Sequence, residues 1–381
     1  MSMTNAGSPG IPRPAHDVKN APSGPPTLIS RRDHHALFLA TLVSALTPVA
    51  PAWAAPPVVF PGRSWENADP AKAGWSVPKL QAARDYAAKI GSAAVMVVQD
   101  GRVIAAWGDV ERKMEIHSMR KGFMSALYGI AVSKRQVDLD KTLGELGIDD
   151  KPPSLTTTEK KATIRDLLKA RSGVYHLAAY ESESMKERRP ERGSHAPGTF
   201  WYYNNWDFNV LGVLLRRATG EETFAAVDKY LARPLQMQDF TPADGRYVTA
   251  DTSEHPAYPM QFTARDLARF GWLYLNAGRW RDQQVVSAQW VAESTKAYSD
   301  ANPGIGYGYM WWVSTKDVQF RTQVGPGAFS ARGHGGQYIV VAPAHRIIVV
   351  HLYDRLKYRS LEGGEFGNLL RVIFDAAPKL Q

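Results

Sequence analysis

The sequence predicts an α+β fold in which one antiparallel sheet is built from N- and C-terminal strands, flanked by helices, with a large helical insertion. Three observations point to it. β-Branched and aromatic runs flank Asp100-Gly101 early in the chain and return late, at 307–314, 336–343 and 346–354. The intervening stretch, about 118–290, reads mostly as helix. Helical patterns at 76–90 and 365–377 bracket the whole. Strands at the two ends of a chain are most simply reconciled in one sheet, and a sheet buries its apolar faces under helices.

The elements follow in order. Residues 1–28 are rich in Pro, Gly, Ser and Asn without periodicity, which predicts a disordered lead. Arg31-Arg32 then precede an apolar run over 36–50 and the small-x-small triplet Ala52-Trp53-Ala54. A basic pair, a short apolar run and such a cleavage site predict a signal peptide within 1–54, of twin-arginine type, and export to the periplasm or beyond. The run is shorter than the roughly 20 residues a membrane span needs, so residues 55–381 are expected to be soluble after cleavage. Ser76 and Pro78 open the first helix as cap and first-turn proline. Asp100-Gly101 between two β-branched runs is a hairpin signal. Helices are expected at 118–134, 163–169, 205–219, 223–231 and 263–276, the last with Thr263 as cap and Asp266 three residues on. Between them, 173–200 is long, polar and aperiodic, the profile of a functional lid or a disordered loop. Pro343-Ala344-His345 makes a tight turn between the last two strands.

Composition narrows the function classes. The 381 residues are 44% hydrophobic and 22% charged, enough for a full core. The absence of cysteine excludes disulfides, thiolate nucleophiles and Cys-based zinc sites. The net charge of +9 is spread without a run of five like charges, and the aromatics do not interleave with basic clusters, so nucleic-acid binding has no support. A mildly basic surface suits anionic partners such as cell-wall polymers, or is a solvated surface only. No G-x-S-x-G elbow, H-E-x-x-H pair or P-loop is present, and no metal or cofactor is called for.

Three stretches carry possible chemistry. The first, "EIHSMRKGFMSALYGIAV" (115–132), places Ser118 and Lys121 three residues apart on one helix face. At a helix N-terminus the dipole and desolvation both disfavour an ammonium, so the lysine pKa should fall and the amine can take the serine proton. The alternative is a capping serine followed by a snorkelling lysine. The second, "PGTFWYYNNWDFNVLG" (197–212), holds Tyr-x-Asn in two registers, Tyr202 with Asn204 or Tyr203 with Asn205. A tyrosine there can relay a proton; an aromatic cluster with an asparagine cap is the other reading. In the third, "GAFSARGHGGQYIVVAP" (327–343), small residues precede an apolar strand. A backbone N–H there can join that of Ser118 in an oxyanion hole, or the stretch is a glycine-rich turn.

Together, in this order, the three resemble the serine β-lactamase/penicillin-binding-protein superfamily, closest to its class C-like branch of esterases, peptidases and 6-aminohexanoate-dimer hydrolases. The resemblance covers about 75–374 and extends to "TIRDLLKARSGVYH", "ARDLARFGWLYLNAGRW" and "GYGYMWW". It implies Ser118 as nucleophile, Lys121 as base, and Tyr203 with Asn205 as the Tyr-x-Asn pair, Tyr202 with Asn204 remaining the other register. Counted back from Pro343, the family's Lys-Thr-Gly box falls on Ala328-Phe329-Ser330, which puts the second oxyanion donor on Ala331. Here the chain departs from the pattern, since that box is absent. His334 or Arg332 stands nearby as a replacement cation, or His334 is a strand-end histidine. Tyr175 and Tyr180 on the 173–200 loop are candidate substrate contacts, or surface tyrosines. The missing cation favours small esters or linear amides over β-lactams and D-Ala-D-Ala peptides. A non-catalytic cell-wall module is the alternative of another class.

Overall fold

The computed structural model describes residues 58–354, 357, 361 and 363–380; the signal-peptide reading of 1–54 lies outside them. An eight-stranded antiparallel sheet is formed by β1 (Ser92–Gln99), β2 (Arg102–Gly108), β3 (Ser299–Asn302), β4 (Ile305–Tyr307), β5 (Trp312–Ser314), β6 (Phe329–Gly333), β7 (Gln337–Ala342) and β8 (Ile347–Tyr353). Its order is β2-β1-β8-β7-β6-β5-β4-β3, so the N-terminal hairpin pairs with the last strand. The five long helices are α1 (Val77–Lys89), α2 (Arg120–Ser133), α3 (Asn205–Thr219), α4 (Ala264–Leu275) and α5 (Gly363–Ala376).

Alternation along the strands sorts the core into two halves. Val95, Val97, Val340, Ile347 and Val349 pack with α1 and α5. Their neighbours Ala94, Met96, Val98, Ile339, Ile348 and Val350 face the helical region. Both faces are therefore buried, which is why these strands read as near-continuous apolar runs. Helix α4 lies on β7 and β8. A Cβ on Gly271 would come within 2.8 Å of Ile348 and 3.1 Å of Ile339, so the missing side chain lets the helix approach the sheet. At the hairpin, Asp100 and Gly101 both take positive φ, 49° and 79°, as a type I′ turn requires.

Two strand expectations change. The 307–314 run is a hairpin and not one strand: β4 and β5 pair with each other, with Met310 at φ 64° between them. Gly308 is pressed against the backbone of Ser294, where a Cβ would sit 2.1 Å from its carbonyl oxygen. The stretch before the apolar strand is itself strand β6, held by β5 on one side and β7 on the other.

His351 on β8 is buried beneath the β6–β7 turn. Its Nδ1 meets the Gly336 carbonyl at 2.6 Å and its Nε2 the Ser92 hydroxyl at 2.8 Å, a pairing that suits the neutral ring. Burial pushes its pKa from the ordinary 6.5 to about 4, partly opposed by the Gly336 bond. Above about pH 6.5 both folded and unfolded rings are neutral and the stability is fully present. As pH falls toward about 4 only the unfolded ring takes a proton, so stability is lost across that window, by about 3 kcal/mol. Denaturant midpoints at pH 7 and 4.5 check this. His351→Leu, though weaker at pH 7, should lose less between the two.

Candidate active site

Helix α2 is preceded by a 3₁₀ turn over His117–Met119, which carries Ser118. Every residue from Arg120 to Ala131 is buried, so the helix has no solvent face along that length. Phe123 stacks between Phe262 and Phe270, and Gly129 lies under Trp290, where a Cβ would be 2.4 Å from the indole. Lys121 is 1% exposed, so its head does not snorkel to water.

Lys121 Nζ is instead 2.7 Å from Ser118 Oγ, 2.7 Å from Tyr203 Oη and 2.9 Å from Asn205 Oδ1. Among the described residues no carboxylate pairs with it. Burial drives its pKa well below the usual lysine range, and the charge of Arg120 adds to the fall. A neutral amine has two N–H donors and one lone pair. With Tyr203 and Asn205 taking the donors, the lone pair is left for the Ser118 hydroxyl proton. Tyr203 is pushed up to about 12 by burial, with its hydrogen bond to Ser118 opposing. It is therefore a protonated phenol at neutral pH, fit to pass a proton and not to hold a negative charge.

The start of α3 sets the register of the tyrosine box. Asn204 caps the helix by accepting from the Trp206 N–H at 3.1 Å, which turns Asn205 toward Lys121. Tyr202 points the other way and donates to the Met185 carbonyl at 2.7 Å. Tyr203 and Asn205, and not Tyr202 and Asn204, are the pair brought to the lysine.

The serine opens on a cavity of about 900 Å³. One wall is aromatic, with Trp201, Trp312 and Phe320; the facing wall comes from the 173–200 loop, including Tyr180, Met185 and Arg188. That loop carries one short helix, Glu183–Glu187, and is pinned by the ion pairs Arg189–Glu181 and Arg192–Glu159. Tyr180 sits at φ 64° and His117 at φ 48°, two left-handed non-glycine residues side by side, the kind of strain that gathers at sites. The Tyr180 hydroxyl bonds His117 Nδ1 at 2.8 Å and donates to Glu115, while its carbonyl accepts from Asn205 Nδ2 at 2.6 Å.

Two expected site residues stand elsewhere. Tyr175 is buried against Tyr202 and bonds His195 at 3.1 Å, away from the cavity wall, so it is neither a substrate contact nor a surface tyrosine. Ala331 is buried on β6 outside the wall; the part of that strand and turn reaching the cavity is Arg332, Gly333, His334 and Gly335. A Cβ on Gly333 would lie 2.2 Å from the Ile116 carbonyl, so this backbone runs directly beside the serine turn. The His334 ring stands edge-on to His117 at 6.0 Å. Arg332 is held by Ser330 at 2.9 Å and Gln319 at 2.7 Å and packs on Trp312 and Phe320. Among the described residues no group of three or more acidic or histidine side chains is arranged to hold a metal.

The beta-lactamase family model matches residues 79–366. The chain belongs to the beta-lactamase family. Its likeness to other members lies in the fold at low identity. A Bacillus anthracis protein bearing the name 6-aminohexanoate-dimer hydrolase superposes with TM-score 0.59 at 20% identity, over 76% of this chain and 80% of that one. EstCE1, described as a hydrolase with promiscuous acyltransferase activity, gives 0.57 at 16%, over 78% and 98%. A class C beta-lactamase gives 0.57 at 15%, over 80% and 96%. An uncharacterized protein of Alkalihalophilus pseudofirmus is 20% identical over 71% of this chain and 85% of its own length. Among the described residues no helix is long and apolar enough to cross a membrane.

Proposed function

We propose that this beta-lactamase-family protein is an exported serine hydrolase that cleaves small esters or linear amides through an acyl-enzyme. The observation that carries the reading is the buried Lys121 amine, without a carboxylate partner among the described residues, held 2.7 Å from both Ser118 and Tyr203. Ser118 Oγ attacks the carbonyl carbon and its proton passes to Lys121. The carbonyl oxygen becomes an oxyanion, held by the Ser118 N–H and by the backbone beside it near Gly333, in place of Ala331. Each such donor contributes about 3 kcal/mol. The tetrahedral adduct collapses, the leaving group departs with the proton returned through Tyr203, and an ester links Ser118 to the acyl group. Water then attacks that ester and gives a proton to Lys121; the bond between the acyl carbon and Ser118 Oγ breaks, Lys121 returns the proton to Oγ, and the acid is released. Export by the twin-arginine route to the periplasm or beyond rests on Arg31-Arg32 and the apolar run 36–50. Incubation with a fluorophosphonate and with a panel of p-nitrophenyl esters, 6-aminohexanoate dimer and nitrocefin tests the reading. A single adduct on Ser118 with ester or linear-amide turnover supports it. An unlabelled protein inert on the whole panel refutes it and leaves the cell-wall module.

Arg332 favours a second reading of the substrate. Its partners are neutral, and among the described residues no carboxylate pairs with it, so a cation faces the cavity with room for an anionic end. Burial lowers its pKa to about 10, which leaves it charged at neutral pH. Carboxylate-bearing substrates, D-Ala-D-Ala peptides and β-lactams included, fit that charge. Arg332→Ala should raise KM for a carboxylated ester by about 10- to 100-fold and change KM for its neutral analogue little. Steady-state kinetics on the matched pair checks it.

A further inference from the structure

Arg120 is fully buried beside Lys121, and the proton transfer leaves it unused. Its guanidinium lies between the rings of Tyr180 and Tyr258, 5.2 and 5.0 Å from their centres. Nη1 donates to the His117 carbonyl at 3.1 Å, while Nε and Nη2 find no partner. Among the described residues no carboxylate pairs with it, and the first turn of α2 holds no acidic residue. Two adjacent side chains that are both able to carry positive charge thus sit, out of water, at the positive end of one helix. Both cannot be charged at a tolerable cost. Arginine does not give up its proton in proteins, whereas lysine does so readily when buried.

We infer that Arg120 is a positioning residue whose permanent, uncompensated charge keeps Lys121 in the neutral form that the reaction needs. The inference rests on the reading of Lys121 as the base. The groups around the amine do not undo it. From α3 it meets Tyr203, Asn205 and the Phe208 ring. Tyr307 packs behind Tyr203. Tyr180 stands on the 173–200 loop and His117 on the serine turn, bonded to each other at 2.8 Å. The nearby carboxylate, Glu115, is engaged by Tyr180 and by Arg246 at 2.7 Å. The same arginine also fixes the serine turn through the His117 carbonyl and stacks on the loop through Tyr180, so one side chain orients the nucleophile and sets the charge of its base.

The test is the pH dependence of Ser118 acylation by a fluorophosphonate, which needs no knowledge of the natural substrate. The acid limb of that profile reports deprotonation of Lys121. Arg120→Met removes the charge and should move the limb upward by about one pH unit, whatever the height of the alkaline plateau. Arg120→Gln carries N–H donors without the charge and should raise the limb as Arg120→Met does. A limb unmoved in folded Arg120→Met overturns the inference. If Arg120→Met does not fold, Arg120→Gln decides: a limb raised by more than about 0.3 units supports the role of charge, and one within about 0.3 units of wild type overturns it. Failure of the underlying reading looks different, because the wild-type protein itself would then show no acid limb or no Ser118 adduct.

Discussion

Ser118→Ala is expected to remove turnover on every panel ester and amide that the wild-type protein turns over, by at least about 10⁴-fold, and to leave the fold intact. Among the described residues two hydroxyls lie 2.7 Å from the buried amine, and burial keeps that of Tyr203 a protonated phenol, which leaves Ser118 as the nucleophile. The serine is half-buried in the 3₁₀ turn, and its replacement by alanine deletes one oxygen at the cavity edge. The cost to stability should stay below about 1 kcal/mol. Initial rates over the substrate panel and a thermal melt check both halves. Residual activity within tenfold of wild type would place the nucleophile elsewhere.

Lys121→Met lowers acylation by about 10³- to 10⁴-fold without lowering the denaturant midpoint. The two outcomes share one cause. An amine almost wholly out of water, without an ion partner among the described residues, is a cost that the fold tolerates for its chemistry, and a methionine of similar length fills the same space between Tyr203 and Phe208 without it. What is lost is the base. Because serine and lysine act as a unit, the double variant Ser118→Ala/Lys121→Met should be no slower than Ser118→Ala alone. Burst kinetics with a p-nitrophenyl ester and an unfolding titration give the two readings. An unfolding free energy that drops by more than about 2 kcal/mol with activity retained would make Lys121 a structural residue.

Much of the fold is legible because local signals agree with the tertiary arrangement. Asp100-Gly101 specifies its hairpin by turn chemistry alone, and Thr163 and Thr263 start their helices by capping, each accepting from the backbone N–H three residues on. The Ser118–Lys121 pairing is legible for the same reason, since spacing on a helix fixes which side chains meet. The parts that escape depend on distant partners. β6 contains Ser330, Ala331, Arg332 and Gly333, a poor strand sequence by propensity, and becomes a strand because β5 and β7 lie on either side. Counting back from Pro343 lands on Ala331, but the count crosses a hairpin whose loop length the sequence does not determine. In the fold Gly333 pairs with Gln337, and the stretch beside the serine lies two residues further on. Tyr175 and Tyr180 sit in an aperiodic loop, where no pattern says which one faces inward. The burial of Arg120 is likewise invisible, although the adjacent pair Arg120-Lys121 in an apolar helix is a signal for it.

The neutrality of Lys121 is the claim on which the chemistry stands, and it is directly measurable. In protein labelled at lysine Cε, the resonance lost in Lys121→Met identifies the residue, and its shift across pH reports the charge on the amine. The account predicts the neutral-amine shift at pH 7, with protonation only on acidification. A resonance that is charged at pH 7 and titrates near the ordinary 10.5 would contradict it.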